Sequence, residues 1–215
     1  MAQAYWAPAG LPQRLAFARM LADGEPCPPT PPATRIFTVG HSSHEPGPFF
    51  ALLSRHRIGH LVDVRSIPSS GRFPHFKKRS FEALCKARSV SYRHCPELGN
   101  KVGGICHLLQ QPEGQRALAE LATAAAQHAE RGATAYMCAE ADWRDCHRQV
   151  IAQQLSAEYG IVTFHILRTG SIEPHPRSHV LPPHYGAGPL RLLAPCCPGD
   201  PERPAARAEE APERP

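Results

Sequence analysis

The sequence predicts a single α/β domain, a mostly parallel sheet of four to five strands flanked by helices, with proline-rich tails at both ends. Short β-type runs alternate with helical apolar patterns through the middle of the chain, and parallel strands need such crossover connections. The 215 residues are 42% hydrophobic and 20% charged, which is typical of a packed domain. Of the 24 prolines, only six lie between residues 35 and 169. We therefore expect a partly disordered lead-in at 1–34, the domain at 35–173 and a largely disordered tail at 174–215.

Two strand–helix units open the predicted domain. Residues 35–39 are a β-type run that ends at Gly40, and residues 48–56 carry apolar side chains at helical spacing. Residues 60–64 predict a second strand, which a loop rich in serine, proline and glycine joins to a helix at 80–88. A weaker third strand follows at 90–94.

The second half of the domain contains the clearest pattern. Periodicity fails over 97–111, and a long helix is then predicted at 115–131, where Gly132 stops it. A strand at 133–138, a helix at 145–159 and a strand at 161–166 follow, and Gly160 ends that helix. This strand–helix–strand unit is the clearest support for a parallel sheet, because parallel strands need such a crossover.

Composition excludes some classes of protein. No apolar run approaches the roughly 18 residues of a membrane span, and the N-terminus lacks the apolar core of a secretory signal. A cytoplasmic protein with no membrane partner is expected, although the arginines within residues 1–21 leave a transit peptide as a minor alternative. The eight cysteines form no spacing framework, which favours reduced thiols. The net charge of +5 permits an anionic partner without requiring one.

Three predicted strand ends carry polar or reactive side chains. The first strand runs into His41 and Ser42, the second into Asp63 and Arg65, and the fourth into Cys138 and then Glu140. Ligands bind beyond the carboxyl ends of strands in an open parallel sheet, so these ends predict a common cleft. Taken singly, Ser42 could be a helix cap and Asp63 a loop cap. Their coincidence at one edge favours a site.

Four blocks of the sequence resemble the signature blocks of the domain of unknown function 488 family. They are residues 38–42, residues 61–68, residues 96–99, and residues 137–140 followed by Cys146-His147-Arg148. The resemblance covers about residues 35–168 and implies an α/β fold and a shared pocket, but no particular activity. A looser similarity links the strand–cysteine–loop–helix unit to rhodanese-like sulfurtransferases. There a compact loop cradles an anion, whereas this loop carries Glu140, Asp142 and Asp145.

The leading hypothesis is an enzyme centred on Cys138, a thiol-dependent transferase or hydrolase. The thiol ends a strand before a helix, and we expect the helix N-terminus and Arg148 to lower its pKa. His41 or Glu140 would move protons. An anionic, nucleotide-like substrate would be bound by a second set of residues: Ser42, Asp63, Arg65, Phe76 and Arg148. The plain alternative for Cys138 is a small buried apolar residue.

Two rival hypotheses use overlapping residues. Cys138, Cys146 and His147 offer soft metal ligands that Cys95, His94 or His41 would complete, as a metal-dependent hydrolase or a structural site. Residues 72–79 interleave aromatic and cationic side chains, which suits a non-catalytic nucleotide or nucleic-acid binding module, although Phe73 and Phe76 would serve equally well as core residues. The sequence names neither substrate nor cofactor.

Overall fold

The computed structural model describes residues 34–100, 104–127, 132–176 and 181. Six strands form one sheet, and five helices accompany them in the described residues. The strands are β1 (Arg35–Gly40), β2 (Ile58–Asp63), β3 (Ser91–His94), β4 (Ala133–Cys138), β5 (Val162–Ile166) and β6 (Ile172–Pro174). The helices are α1 (Pro46–Arg55), α2 (Lys78–Lys86), α3 (Gly104–Leu108), α4 (Pro112–Gln127) and α5 (Arg148–Tyr159).

The strand order is β3-β2-β4-β1-β5-β6. All neighbouring strands are parallel except β6, which is antiparallel to β5. The predicted α/β class with a mostly parallel sheet is therefore confirmed. Strand β6 was not predicted, because it is three residues long and ends at a proline, which is unfavourable in most strand positions.

Helices cover both faces of the sheet. One core contains Val62, Tyr136 and Cys138 from the strands, together with the apolar sides of α4 and α5. The other contains Val39 and Met137, together with the aromatic side chains of α1 and α2. Because successive strand residues point to opposite faces, Cys138 and Met137 belong to different cores.

Several element boundaries differ from the prediction by two or three residues, and one of these differences bears on the site. Helix α5 begins at Arg148 rather than at residue 145, so Cys146 and His147 precede its first turn. The stretch without periodicity contains a 3-10 turn at Pro96–Leu98 and the five-residue α3, both too short to produce a repeat. Gly160 ends α5 in the left-handed conformation at φ 65°, as predicted.

The tails predicted at 1–34 and 174–215 lie almost wholly outside the described residues, and their boundaries stay predictions. The end of the long helix predicted at 128–131 lies outside them too. Among the described helices, none has the length and apolar character needed to cross a membrane.

The chain topology makes the carboxyl ends of β1 and β4 the expected place for a ligand. From β1 the chain passes through α1 to β2 on one side of the sheet, and from β4 it passes through α5 to β5 on the other. Neighbouring parallel strands whose connections diverge in this way leave room between their carboxyl ends, where ligands bind in open α/β sheets. Gly40 and Cys138 form the paired ends of these two strands.

Candidate metal centre

Four potential ligand atoms converge beyond the end of β4. They are the Sγ atoms of Cys138 and Cys146, a carboxylate oxygen of Glu140 and Nδ1 of His147, all within 4.8 Å of one another. The sulfurs of Cys138 and Cys146 lie 3.8 and 3.7 Å from His147 Nδ1. Glu140 Oε2 lies 2.7 Å from the Cys138 sulfur and 3.2 Å from the Cys146 sulfur. Three of the four residues are buried, and Glu140 is exposed.

The ring of His147 is held in one orientation. Its Nε2 lies 3.1 Å from the carbonyl oxygen of Val64. Because a carbonyl oxygen can only accept a hydrogen bond, Nε2 must carry the proton that is donated. In the neutral ring this leaves the lone pair on Nδ1, directed towards the two sulfurs. A backbone partner of this kind is the usual outer-shell support of a metal-binding histidine.

The guanidinium of Arg148 joins the loop, β1 and a thiol. The side chain is 1% exposed, and its Nε donates to the Cys146 sulfur at 3.3 Å. NH1 donates to Thr38 Oγ1 at 3.1 Å, and NH2 donates to the carbonyl oxygen of Glu140 at 2.9 Å. Every guanidinium nitrogen is thus bonded within the chain. The proposed grip of Arg148 on a substrate anion therefore lacks support from the geometry.

The two thiols differ in their tendency to ionise. The hydrogen bond with Cys146, burial and the Glu140 carboxylate raise the pKa of Cys138 well above the ordinary thiol value. Burial acts to raise the pKa of Cys146 as well, but hydrogen bonds with Cys138 and His147 and the charge of Arg148 hold it well below that value. The predicted lowering at Cys138 is wrong, because α5 begins ten residues beyond it and Arg148 contacts the other sulfur.

His147 balances the ionised thiol. Burial acts to lower the pKa of His147, but its hydrogen bond with Cys146 and the charge of that thiolate raise it overall. These shifts favour ionisation of Cys146 over Cys138, with His147 as the cationic partner of the Cys146 thiolate.

The loop between β4 and α5 is clamped to the far edge of the sheet. Trp143 is buried and stacks on the His165 ring at 4.1 Å, with 5° between the planes. Its Nε1 donates to the carboxylate of Glu173, which also pairs with Arg144 at 2.8 Å. His165 accepts or donates a bond at 3.0 Å with Thr38, the same hydroxyl that Arg148 contacts. This arrangement fixes the loop that carries Glu140 and Cys146.

Gly40 lets the loop approach β1. A Cβ atom at this position would lie 1.8 Å from the carbonyl oxygen of Glu140 and 3.1 Å from Arg148 NH2. Next to it, the amide groups of His41 and Ser42 donate to the carbonyl oxygens of Cys138 and Ala139 at 2.9 and 2.8 Å. The pairing of β1 with β4 therefore continues into the loop, with Ser42 in the left-handed region at φ 43°.

A second buried cluster occupies the end of β2. Arg65 donates through Nε and NH2 to both oxygens of Asp63, at 2.9 and 2.6 Å, and through NH2 to the carbonyl oxygen of Phe76 at 3.0 Å. Its NH1 lies 3.1 Å from His41 Nε2, and Tyr92 donates to Asp63 at 2.7 Å. The fork of Arg65 thus binds a carboxylate of its own chain, and the geometry gives no support to the prediction that it binds a substrate.

His41 and Phe76 belong to this second cluster. His41 Nδ1 bonds to the carbonyl oxygen of Ser42 at 3.0 Å, and the ring stacks on Phe76 at 4.1 Å. Phe76 is 0% exposed, so it is a core residue and cannot stack on a ligand. Both ring nitrogens of His41 are bonded within this second cluster, and the ring does not belong to the group of four ligand atoms. Its predicted role in proton transfer therefore gains no support.

The structure brings together the three metal ligands predicted from the sequence, but with a different fourth residue. Cys138, Cys146 and His147 meet as predicted, but in the described residues Glu140 completes the group. His94 bonds instead to the carbonyl oxygen of Arg65 at 2.8 Å, and the Cys95 thiol bonds with Glu97. Sequence reasoning missed four supporting residues: Thr38, Trp143, His165 and Glu173. Only Trp143 gave a signal, as a large aromatic residue inside an acidic loop.

We expect Gly40→Ala to destabilise the protein by about 1–3 kcal/mol, because the added methyl group overpacks the Glu140 carbonyl. Urea unfolding measures the loss, and faster alkylation of Cys138 reports displacement of the loop. Gly71→Ala is the matched control, since a Cβ at this exposed position meets no atom within 4 Å and the backbone is not in the left-handed region. The control should be as stable as the original chain, or up to about 1 kcal/mol more stable. Equal stability of Gly40→Ala and the original chain would contradict the packing argument.

His41 should make folding stability depend on pH. Burial and then the Arg65 charge lower the pKa of His41 from 6.5 to about 4. The unfolded chain therefore binds the extra proton between pH 6.5 and 4, and stability falls as the pH drops through this window. The loss attributable to His41 is about 2 kcal/mol between pH 7.5 and 5. Urea unfolding of His41→Gln should show a correspondingly flatter pH dependence, and identical slopes would argue against a neutral buried ring.

Comparison with known proteins gives one family. The model of the domain of unknown function DUF488 matches residues 47–104 and 106–155, half of the chain. These ranges contain all four ligand residues and the Asp63–Arg65 pair, whereas the block at 38–42 precedes them. No curated protein and no solved structure matches the chain significantly. The chain belongs to the domain of unknown function DUF488 family.

Proposed function

We propose that this protein is a metal-dependent hydrolase whose metal is bound by Cys138, Cys146 and His147, with Glu140 at the open side. The observation that carries the proposal is the convergence of four donor atoms within 4.8 Å of one another, from the end of β4, the loop that follows it and the residues just before α5. A thiolate and a carboxylate this close repel each other, and a cation between them removes the repulsion. The imidazole completes a typical set of metal ligands.

The donor set favours zinc. Two thiols and an imidazole are soft to intermediate ligands, and zinc binds such sets tetrahedrally. At the tetrahedral angle, bond lengths of about 2.3 Å to sulfur and 2.0–2.1 Å to nitrogen imply sulfur–nitrogen edges of about 3.5–3.6 Å. The sulfur–nitrogen distances of 3.8 and 3.7 Å are slightly longer than these edges, so metal binding would draw the three ligands a little closer together. The Glu140 oxygen, at 2.7 Å from Cys138, would move outward on binding.

The exposure of Glu140 favours a catalytic over a structural centre. Structural zinc sites are closed by four cysteine or histidine ligands, whereas catalytic sites keep three protein ligands and one exchangeable position. A zinc ion at such a position acts as a Lewis acid and activates water near neutral pH. Glu140 is the exposed acid at this face, and it can either occupy the fourth position or accept the proton of the attacking water.

A thiol-based reaction at Cys146 is the second candidate. Its support is the 3.3 Å contact with Arg148 Nε and the lowered pKa of the thiol, the two features of an activated cysteine. In this case the nucleophile would be Cys146 rather than Cys138. Alkylation distinguishes the two candidates, since a bound metal protects Cys146 until a chelator is added, whereas an activated thiol reacts without one.

Metal content tests the proposal directly. The purified full-length protein should contain about one zinc ion per chain by elemental analysis, and Cys146→Ser should lose it because it removes one of three buried ligands. Cys106→Ser is the control, since this partly exposed cysteine lies outside the group and should leave zinc binding unchanged. A wild-type protein that binds neither zinc nor cobalt would overturn the proposal.

The variant Glu140→Gln tests whether the fourth position at the metal is exchangeable, as in a catalytic site, or permanently occupied, as in a structural site. If Glu140 is the exchangeable member, the variant keeps stoichiometric metal, and azide changes the visible spectrum of the cobalt-substituted wild-type protein by entering the fourth position. Asp142→Asn, a neighbouring exposed acid of the same loop, should behave as wild type. Loss of metal from Glu140→Gln, with a cobalt spectrum that azide leaves unchanged, would indicate a closed structural site and contradict the hydrolase.

A further inference from the structure

We infer that the substrate of this centre is carried by a nucleic acid, whose phosphates bind the exposed cations Arg72, Lys77, Lys78 and Arg79 (the basic strip). The inference rests on the proposed function, because it names the substrate class of the same site. From Val64 to Phe81 the chain contains no acidic residue. All four cations of the strip are exposed.

The charges of the strip are not neutralised by the protein itself. Two exposed arginines elsewhere do have carboxylate partners, in the pairs Arg93–Glu120 and Arg144–Asp142. Within the described residues, none of the four cations of the strip forms an ion pair with a carboxylate. Three of them start α2, where cations oppose the helix dipole and the first turn carries no acid. Such an arrangement costs stability unless an external anion offsets it.

The strip is attached to the metal centre through the end of β2. Arg65 holds the carbonyl oxygen of Phe76, inside the strip, at 3.0 Å, and the adjacent residue Val64 accepts the hydrogen bond of His147 at 3.1 Å. The backbone amide of Lys78 donates to Pro68 at 3.0 Å, and His75 bonds to the carbonyl oxygen of His44 at 3.0 Å. These contacts hold the strip in one position relative to the ligands.

The open placement of the cations favours a polyanion over a small phosphate. Four solvated side chains spread along a surface segment hold one phosphate weakly, whereas a single-stranded nucleic acid releases about 0.7 counterion at each phosphate contact. Phe73 adds a half-buried ring with the Arg72 guanidinium 5.6 Å from its centroid, a surface on which an unpaired base can stack. A single-stranded segment is therefore the expected ligand.

Salt-dependent binding of a fluorescein-labelled 20-nucleotide oligo-dT to the full-length protein tests the inference by anisotropy. Four phosphate contacts predict a slope of log K against log salt of about −3. K78Q/R79Q should bind about 25-fold more weakly at 0.1 M salt, with a slope shallower by about 1.4, because two contacts are lost. Its melting temperature should be unchanged or higher, since it removes cations from a helix N-terminus. The control K86Q/R116Q removes the same charge from other exposed positions.

Three outcomes would overturn the inference: no binding at 50 mM salt, equal weakening by K86Q/R116Q, or competition by inorganic phosphate at the same phosphate concentration as oligo-dT. A labelled duplex that binds more tightly than oligo-dT would overturn the single-strand assignment. Zinc is measured on the same samples. If the wild-type protein contains zinc but does not bind oligo-dT, only this inference is contradicted. If the protein lacks zinc but binds oligo-dT through the basic strip, the proposed hydrolase is contradicted and the binding surface is not.

Discussion

The site depends on the buried guanidinium of Arg148. A charge that is 1% exposed must find partners inside the protein, because an unpaired buried cation costs several kcal/mol. Its partners come from β1, from the loop backbone and from the thiol of Cys146. The loop cannot move away from the sheet without breaking these bonds. The convergence of Glu140 and Cys146 on Cys138 and His147 therefore follows from where one arginine must place its donors.

The end of β2 serves two purposes at once. Val64 orients the imidazole of His147, and Arg65 ties the basic strip to the sheet while its charge is balanced by Asp63. Rigid elements thus support three ligands and the neighbouring cations, whereas Glu140 alone lies on the exposed side. A stiff ligand set with one accessible member is the arrangement that an exchangeable metal position requires.

Periodicity and the parallel-sheet rule were sufficient to predict the strand alternation and the edge where the polar strand ends meet. They also brought Cys138, Cys146 and His147 together as a ligand group. The charge on each thiol could not be predicted from the sequence, because it depends on how Arg148 and Glu140 are placed around the two sulfurs. The ligand-binding roles predicted for Arg65 and Phe76 gained no support from the geometry, for a related reason. The sequence does not show whether an arginine or a phenylalanine is buried, and here Arg65 is buried with Asp63, two residues away, as its partner.

X-ray absorption at the zinc edge of the purified full-length protein tests the central claim most directly. The account predicts a four-coordinate ion with two sulfur neighbours at about 2.3 Å and nitrogen or oxygen neighbours at about 2.0–2.2 Å. Cys106→Ser should give the same spectrum, and Cys146→Ser should lose a sulfur neighbour if any metal remains. A spectrum with only nitrogen and oxygen neighbours would contradict the account, since it would place the metal away from Cys138 and Cys146.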